Sequence, residues 1–174
     1  MSKKERIGVE IERKYVIAIP DVSELSQMPE YTSSEIVQIY LPKFDGATHR
    51  VRKRMKNSHA VYTETKKVRI DNMSSREYER EISDEEFFAL SLLIDPNTRP
   101  INKTRHTFVY KNQMFEIDIY PEWKRTAILE TELPTRDTEV EFPDFIRIIE
   151  DVTGNPAYSN AAMARSFPTE SSYL

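Results

Sequence analysis

Five residues near the start, Glu10-Ile11-Glu12-Arg13-Lys14, limit what this chain can become more than any others. In an extended strand, residues i, i+2 and i+4 share a face. Glu10, Glu12 and Lys14 then lie on one side, while Val9, Ile11, Tyr15 and Ile17 make the other side largely apolar. Such a strand packs through its oily face and turns its charged face toward something else. Two carboxylates beside an ammonium suit a metal ion bound to a polyanion.

The same alternation recurs along the chain. Arg50, Arg52 and Arg54 alternate with Val51 and Lys53; Thr63, Thr65 and Lys67 follow. Glu77, Glu79 and Glu81 form an acidic row, Lys103 and Arg105 a basic one, and Glu116 with Asp118 and Glu130 with Glu132 two more acidic ones. Any one row reads most simply as the solvated face of an antiparallel sheet. Together they are sorted by sign, and like charges two apart on a strand repel unless a counter-charge or ion lies between them. Sorting is explained if the strands close into a barrel with the rows facing inward. Acidic strands would then hold a divalent cation and basic strands a chain of phosphates.

Apolar periodicity and turn residues place strands at Val9–Ile17, Glu35–Leu41, Thr48–Met55, Ala60–Val68, Ser75–Ile82, Ile101–Tyr110, Met114–Tyr120 and Thr126–Leu133. Turns are expected at Phe44-Asp45-Gly46, Asn57-Ser58, Asp71-Asn72 and Lys111-Asn112, the last as a tight hairpin. Ser83-Asp84-Glu85-Glu86 is a capping box opening a helix over Phe87–Ile94 that Pro96 stops. Pro143 opens a second expected helix, apolar at Phe145, Ile148, Ile149 and Val152 and ended by Gly154, and Ser159–Arg165 reads as a short third. About eight antiparallel strands with few helices indicate an α+β, mainly β, barrel.

Composition narrows the chemistry. At 174 residues one domain, spanning 1–174, is the expectation. The net charge of −4 argues against bulk nucleic-acid binding. There is no cysteine, so disulfides and thiolate metal sites are excluded. The chain has only three glycines and no Gly-rich phosphate loop, so side chains would have to hold any phosphate. No apolar run follows the basic start and none approaches a membrane span, which gives a cytoplasmic location by default and no membrane partner. Mg²⁺ or Mn²⁺ takes oxygen ligands and keeps several waters, so two or three carboxylates suffice. Arginine matches phosphate oxygens with paired donors, and lysine serves as a point charge.

In their order these rows resemble the CYTH superfamily, the triphosphate tunnel metalloenzymes. The hallmark Glu-x-Glu-x-Lys is matched by Glu10, Glu12 and Lys14. Arg-x-Arg (Arg50, Arg52), Thr-x-Lys (Thr65, Lys67), Glu-x-Glu (Glu77, Glu79), Lys-x-Arg (Lys103, Arg105), Glu-x-Asp (Glu116, Asp118) and a late Glu-x-Glu (Glu130, Glu132) follow. The tail Tyr158-Ser159-Asn160-Ala161-Ala162-Met163-Ala164 resembles that of small bacterial members, where a C-terminal helix lies against one tunnel mouth. The resemblance implies an eight-stranded antiparallel tunnel. It implies Mg²⁺ or Mn²⁺ as cofactor, held by Glu10, Glu12, Glu130 and Glu132, with Asp118 as a further ligand. Lys14, Arg50, Arg52, Lys67, Lys103 and Arg105 would grip phosphates, with Arg54 extending the arginine row. Lys66 replaces Lys67 if the register slips by one, because such a shift exchanges faces. Glu116 and Asp118 would bind a second metal or position the attacking water. Lys14 or Lys103 would assist proton transfer, and Glu77 and Glu79 support the acidic side.

The expected activity is hydrolysis of the terminal phosphoanhydride of a triphosphate. Inorganic tripolyphosphate is the preferred substrate, because every recognisable group addresses phosphate. A class IV adenylate cyclase, a thiamine triphosphatase, an RNA 5′-triphosphatase and a non-catalytic polyphosphate- or nucleotide-binding module are the alternatives. Partners are then a small polyphosphate or nucleoside triphosphate, with the protein a monomer or homodimer. His49, His59 and His106 stand apart and are expected on the surface or in packing, and Trp123 is expected to cover a barrel end.

Overall fold

Strands form where the alternating rows lie. The computed structural model describes residues 4–170. It contains β1 (Glu5–Ala18), β2 (Thr32–Phe44), β3 (Ala47–Lys56), β4 (His59–Arg69), β5 (Ser74–Ile82), β6 (Ile101–Tyr110), β7 (Gln113–Ile119) and β8 (Thr126–Glu132). They run in the order β5-β4-β3-β2-β6-β7-β8-β1, each antiparallel to its neighbour, and β1 pairs back onto β5. The sheet is therefore a closed eight-stranded antiparallel barrel. β1 makes closure possible by its length: Glu5–Ile11 pair with β5 and Glu12–Ala18 with β8. Three of the connections are two-residue turns with both central residues in the left-handed region: Asp45-Gly46, Asn57-Ser58 and Lys111-Asn112. That geometry matches the twist of the strands it joins.

The expected helix after Pro143 does not form. Ile148–Asp151 is instead a ninth strand, β9, antiparallel to β1, with Tyr15 opposite Asp151 and Ile17 opposite Ile148. Spacing of the apolar residues suited a helix, but the edge of β1 beyond β5 still carries unpaired backbone groups. Pairing satisfies them: Ala18 N–H donates to the Arg147 carbonyl at 3.0 Å and Val152 N–H to that of Lys14 at 3.0 Å. Two β-branched isoleucines favour the extended form. Gly154 turns the chain away at φ +76°, where a Cβ would stand 2.8 Å from the Asn72 carbonyl oxygen.

The other helices are short. α1 (Val22–Leu25), not foreseen from sequence, is capped by Asp21. α2 (Asp84–Ser91) has both halves of its capping box, Ser83 accepting from Glu86 N–H and Glu86 from Ser83 N–H. α3 (Asn160–Met163) is capped by Ser159 and follows a 3₁₀ turn at Pro156–Tyr158. Among the described residues no helix is long and apolar enough to cross a membrane.

The main apolar core lies outside the barrel wall. Tyr15, Ile17, Phe108, Phe115, Ile117, Ala127 and Leu129 point outward and are covered by Leu25, Tyr31, Phe142, Phe145 and Ile146. Phe108 and Phe115 are fully buried and stacked, each contributing about 1.5–3 kcal/mol by burial. A second small core sits under α2, where Phe87 meets Leu41, Val51 and Ile82. With the oily faces used outside, the opposite faces of the strands are committed to the barrel interior.

Candidate functional site

The interior is where the charged rows converge. Cross-strand register places Lys14 opposite Glu130, Arg105 opposite Asp118, Arg52 opposite Gln38 and Lys67 opposite Glu77. Each row changes character at a similar depth. Lys14 gives way to Val16, Glu130 to Ile128, Lys103 to Ile101, Asp118 to Tyr120 and Gln38 to Tyr40, and these apolar residues gather into one cluster. Trp123, Val152, Met163 and Ala164 complete it, so the barrel is sealed at that end. The expected position of Trp123 is met. The seal is wired to the charged interior: Lys14 Nζ donates to the Tyr158 carbonyl at 3.2 Å and Tyr120 OH to Asn160 Oδ1 at 2.8 Å.

Deepest among the charges is a knot on β6, β7 and β8. Asp118, 1 % exposed, accepts from Lys103 Nζ at 2.7 Å and from Arg105 Nε and Nη2 at 2.7 and 2.8 Å. Burial works against its charge, but Arg105 and Lys103 outweigh that and hold its carboxyl far below the usual carboxylate range. Arg105 is also paired with Glu116 and approaches Glu130 at 3.6 Å. Glu130 takes Lys14 at 3.0 Å; Lys14 and Arg105 overcome the burial penalty and hold it at about 2. Lys103 is different. Burial pulls it down to about 7, Arg105 and Arg52 pull the same way, and Asp118 only partly opposes them. Lys14, by contrast, is raised: burial opposes its charge, but Glu130 and Glu12 prevail.

Nearer the open end, the acids on β1 are less well matched. Glu12 is pushed up to about 7, first by burial and then by Glu130, with Lys14 no closer than 4.0 Å. Glu10 is raised by burial, Lys67 at 3.3 Å partly offsetting it. Lys67 also lies 3.6 Å from Glu77, and Thr65 donates to Glu79 at 2.9 Å. Arg6, which the sequence analysis passed over, reaches Glu10 and Glu132 at 3.9 and 4.0 Å. Lys67 thus faces inward. Lys66 points out, its ammonium 4.3 Å from the centre of the Phe44 ring, which settles the register left open above.

The arginines of β3 make no close ion pair among the described residues, although against the cost of burial Tyr40, Glu77 and Glu79 together raise Arg50. Arg52 donates from Nε and Nη2 to Gln38 Oε1 at 3.0 and 2.8 Å, Arg54 from Nε to Ser34 Oγ at 3.0 Å, and Arg50 lies beside Tyr40. Among the described residues none of the three makes an ion pair, and Arg50 Nε is buried with no acceptor. An orphaned buried donor is uncommon and calls for a partner. Burial, with Arg50 and Arg105 nearby, lowers Arg52 to about 10.

These facts test the residues against a divalent cation. As they lie, no three acidic or histidine side chains among the described residues are grouped as a ready cage. The donor chemistry still fits at one place: Glu10 and Glu12 are oxygen donors that hold protons tightly because burial disfavours their charge and the cations nearby only partly offset it, and Glu132 is opposite Glu12 in register. Asp118 and Glu130 are already neutralised by Lys103, Arg105 and Lys14. The interior opens as a small recess lined by Arg6, Gly8, Glu10, Glu77 and Glu79. A phosphate chain entering there has to exchange partners with the acids. A roomier recess of about 310 Å³ lies where Glu35, Asn102, Thr104, Ile119, Pro121 and Trp123 meet, but the ammonium of Lys103 beneath it is turned to Asp118.

His59 is exposed as expected, while His49 and His106 are not isolated in the structure. His49 lies 2.7 Å from Glu64, which also takes Arg80 at 2.5 Å on the outer wall, and His106 meets Tyr31 OH at 2.9 Å. Sequence reasoning also missed the β2 side chains that orient the arginines. Their signal was a neutral row, Ser34, Gln38 and Tyr40, on the same alternation as the charged ones.

No family model and no curated protein matches the sequence. Solved structures do. The chain is similar to the inorganic triphosphatase NE1496, at 27 % identity and a TM-score of 0.58, over 92 % of this chain and 97 % of that one. It is similar in fold to the PH1819 protein from Pyrococcus horikoshii OT3, at 24 % identity and a TM-score of 0.54, over 74 % and 80 % of the two chains.

Proposed function

We propose that this chain, which belongs to the CYTH superfamily of triphosphate tunnel proteins, is a divalent-metal-dependent triphosphatase acting on inorganic tripolyphosphate. One observation carries the reading: a row of arginines that makes no close ion pair among the described residues faces into a closed barrel, across from buried carboxylates whose neighbouring cations do not offset the cost of burial. A polyanion with a hard cation would supply what each side lacks. Similarity to a triphosphatase over nearly the whole of both chains supports the same reading.

In this mechanism Arg50, Arg52 and Arg54 bind phosphoryl oxygens, and Lys67 and Lys14 add charge at the mouth and along β1. Fixing the chain of phosphates and neutralising it is most of what phosphoryl transfer needs. Glu10, Glu12 and Glu132 would hold Mg²⁺ or Mn²⁺, which when bound would supply Lewis-acid polarisation of the phosphate. A water attacks the terminal phosphorus in line. The new P–O bond forms as the bridging P–O bond breaks, its electron pair leaving with pyrophosphate. Lys103, with a pKa of about 7, is able to carry a proton near neutrality beside the reacting groups. Asp118 anchors Lys103 and Arg105, and Glu116 and Glu130 help to hold Arg105. Glu77 and Glu79 balance Lys67 and Thr65.

A substrate panel tests this directly. Tripolyphosphate, ATP and thiamine triphosphate are incubated with and without Mg²⁺ or Mn²⁺, and phosphate, pyrophosphate and cyclic AMP are all measured. Metal-dependent release of phosphate plus pyrophosphate from tripolyphosphate, faster than from either nucleotide or thiamine ester, is expected. Cyclic AMP from ATP at a comparable rate would replace the hydrolase by a cyclase. Tight binding with no turnover in any metal would leave a polyphosphate-binding module.

A further inference from the structure

Two arginines in the barrel are held in opposite ways. Arg105 spends its donors on acids: Nε and Nη2 on Asp118, Nη1 on Glu116. Arg52 places Nε and Nη2 on a single neutral oxygen, Gln38 Oε1. A guanidinium has five N–H donors, so about three remain for a ligand. Gln38 is fully buried on the inward face of β2, directly opposite Arg52. Its amide is fixed in turn, because Nε2 donates to Tyr40 OH at 3.3 Å and so leaves Oε1 toward the arginine.

We propose that Gln38 is a positioning residue that aims Arg52 into the tunnel while leaving its charge un-neutralised, and that tripolyphosphate affinity depends on that neutrality. The inference rests on the triphosphatase reading above. A carboxylate at 2.8–3.0 Å would orient Arg52 equally well. It would also cancel the charge that the phosphate needs, and a ligand would then have to displace a charge-assisted pair. An apolar residue would leave the charge but release its direction. Glutamine is the side chain of this size that gives orientation without neutralisation. The same logic covers Ser34 on Arg54, so β2 acts as a neutral backing for the cations of β3. Arg52 is crowded by Arg50 and Arg105, and burial lowers its proton affinity. That crowding costs stability, so Gln38 is a place where affinity and stability are opposed.

The test is Gln38→Glu, with Gln38→Met as a second variant and each repeated on an Arg52→Ala background. Tripolyphosphate binding is followed by calorimetry, with and without Mg²⁺, and unfolding by thermal melting. Gln38→Glu is expected to weaken tripolyphosphate binding about 10–100-fold, the scale of one charge-assisted contact, with a melting temperature unchanged or raised. Gln38→Met is expected to weaken binding several-fold. On Arg52→Ala both changes should have no further effect on affinity, because their action runs through Arg52. Wild-type affinity in Gln38→Glu overturns the inference and leaves the triphosphatase reading intact. So does a loss that persists on Arg52→Ala, or one that falls in step with melting temperature in both variants, since each marks a structural role. Should Gln38→Glu fail to fold, Gln38→Met and its double variant decide the positioning role on which the inference depends, and wild-type affinity in Gln38→Met overturns it. A wild-type protein that does not bind tripolyphosphate removes both readings together.

Discussion

The two acidic walls of the barrel carry similar residues and are built to different ends. On β7 and β8, Asp118, Glu116 and Glu130 are saturated by Lys103, Arg105 and Lys14 at short range. On β1, burial of Glu10 and Glu12 is only partly offset by Lys67 and Lys14, and Glu12 holds its proton up to about neutral pH. A saturated buried carboxylate fixes the geometry of its partners. An unsaturated one keeps a demand for a cation. The same contrast holds for the arginines, with Arg105 satisfied by acids and Arg52 backed by an amide. Type and alternation therefore do not separate anchor from ligand; whether the cations within reach outweigh the cost of burial does.

The largest effect expected from this contrast is at Asp118. Asp118→Asn leaves Lys103 and Arg105 buried with too little counter-charge, and should cost about 3–5 kcal/mol in denaturant unfolding. Glu10→Gln, on the partly exposed wall, should cost under about 1 kcal/mol. Equal losses at the two sites would erase the distinction. Next is Arg52→Ala. It removes an un-neutralised cation, so kcat/KM for tripolyphosphate should fall about 100-fold, about 2.7 kcal/mol. The melting temperature should hold or rise, because Arg50 and Arg105 lose a repulsive neighbour.

The barrel was legible in the sequence for a physical reason. Period-two alternation is imposed residue by residue, and the hairpins at Asp45-Gly46, Asn57-Ser58 and Lys111-Asn112 carry their own turn chemistry. β9 was not legible, because what makes Ile148–Asp151 a strand is the vacant edge of β1, more than a hundred residues away. Inward direction was legible for Glu10, Arg52, Lys103 and Glu130 alike. Which acid meets which base was not, since pairing depends on cross-strand register and depth. Gln38 was missed because a neutral residue among charged rows has no sign to attract notice, and its meaning comes from Arg52 opposite.

Glu12 offers a finer test, read through pH. Its folded pKa of about 7 stands above the ordinary 4.5. Between those values the folded protein binds a proton at Glu12 that the unfolded chain releases, so the contribution of Glu12 to stability falls as pH rises from about 4.5 to about 7 and levels off beyond. Glu12→Gln removes that fall. The variant should be more stable than wild type at pH 8 by about 1–2 kcal/mol, allowing for relaxation among the coupled acids, and nearly equal to it at pH 4. Activity should move the other way, with metal-dependent turnover lost. Wild type with Mg²⁺ or Mn²⁺ should show a flatter pH–stability curve than without, because a bound cation takes the place of the proton. Equal slopes for wild type and Glu12→Gln across this pH range would mean Glu12 is as saturated as Glu130. The two walls would then be one kind of wall.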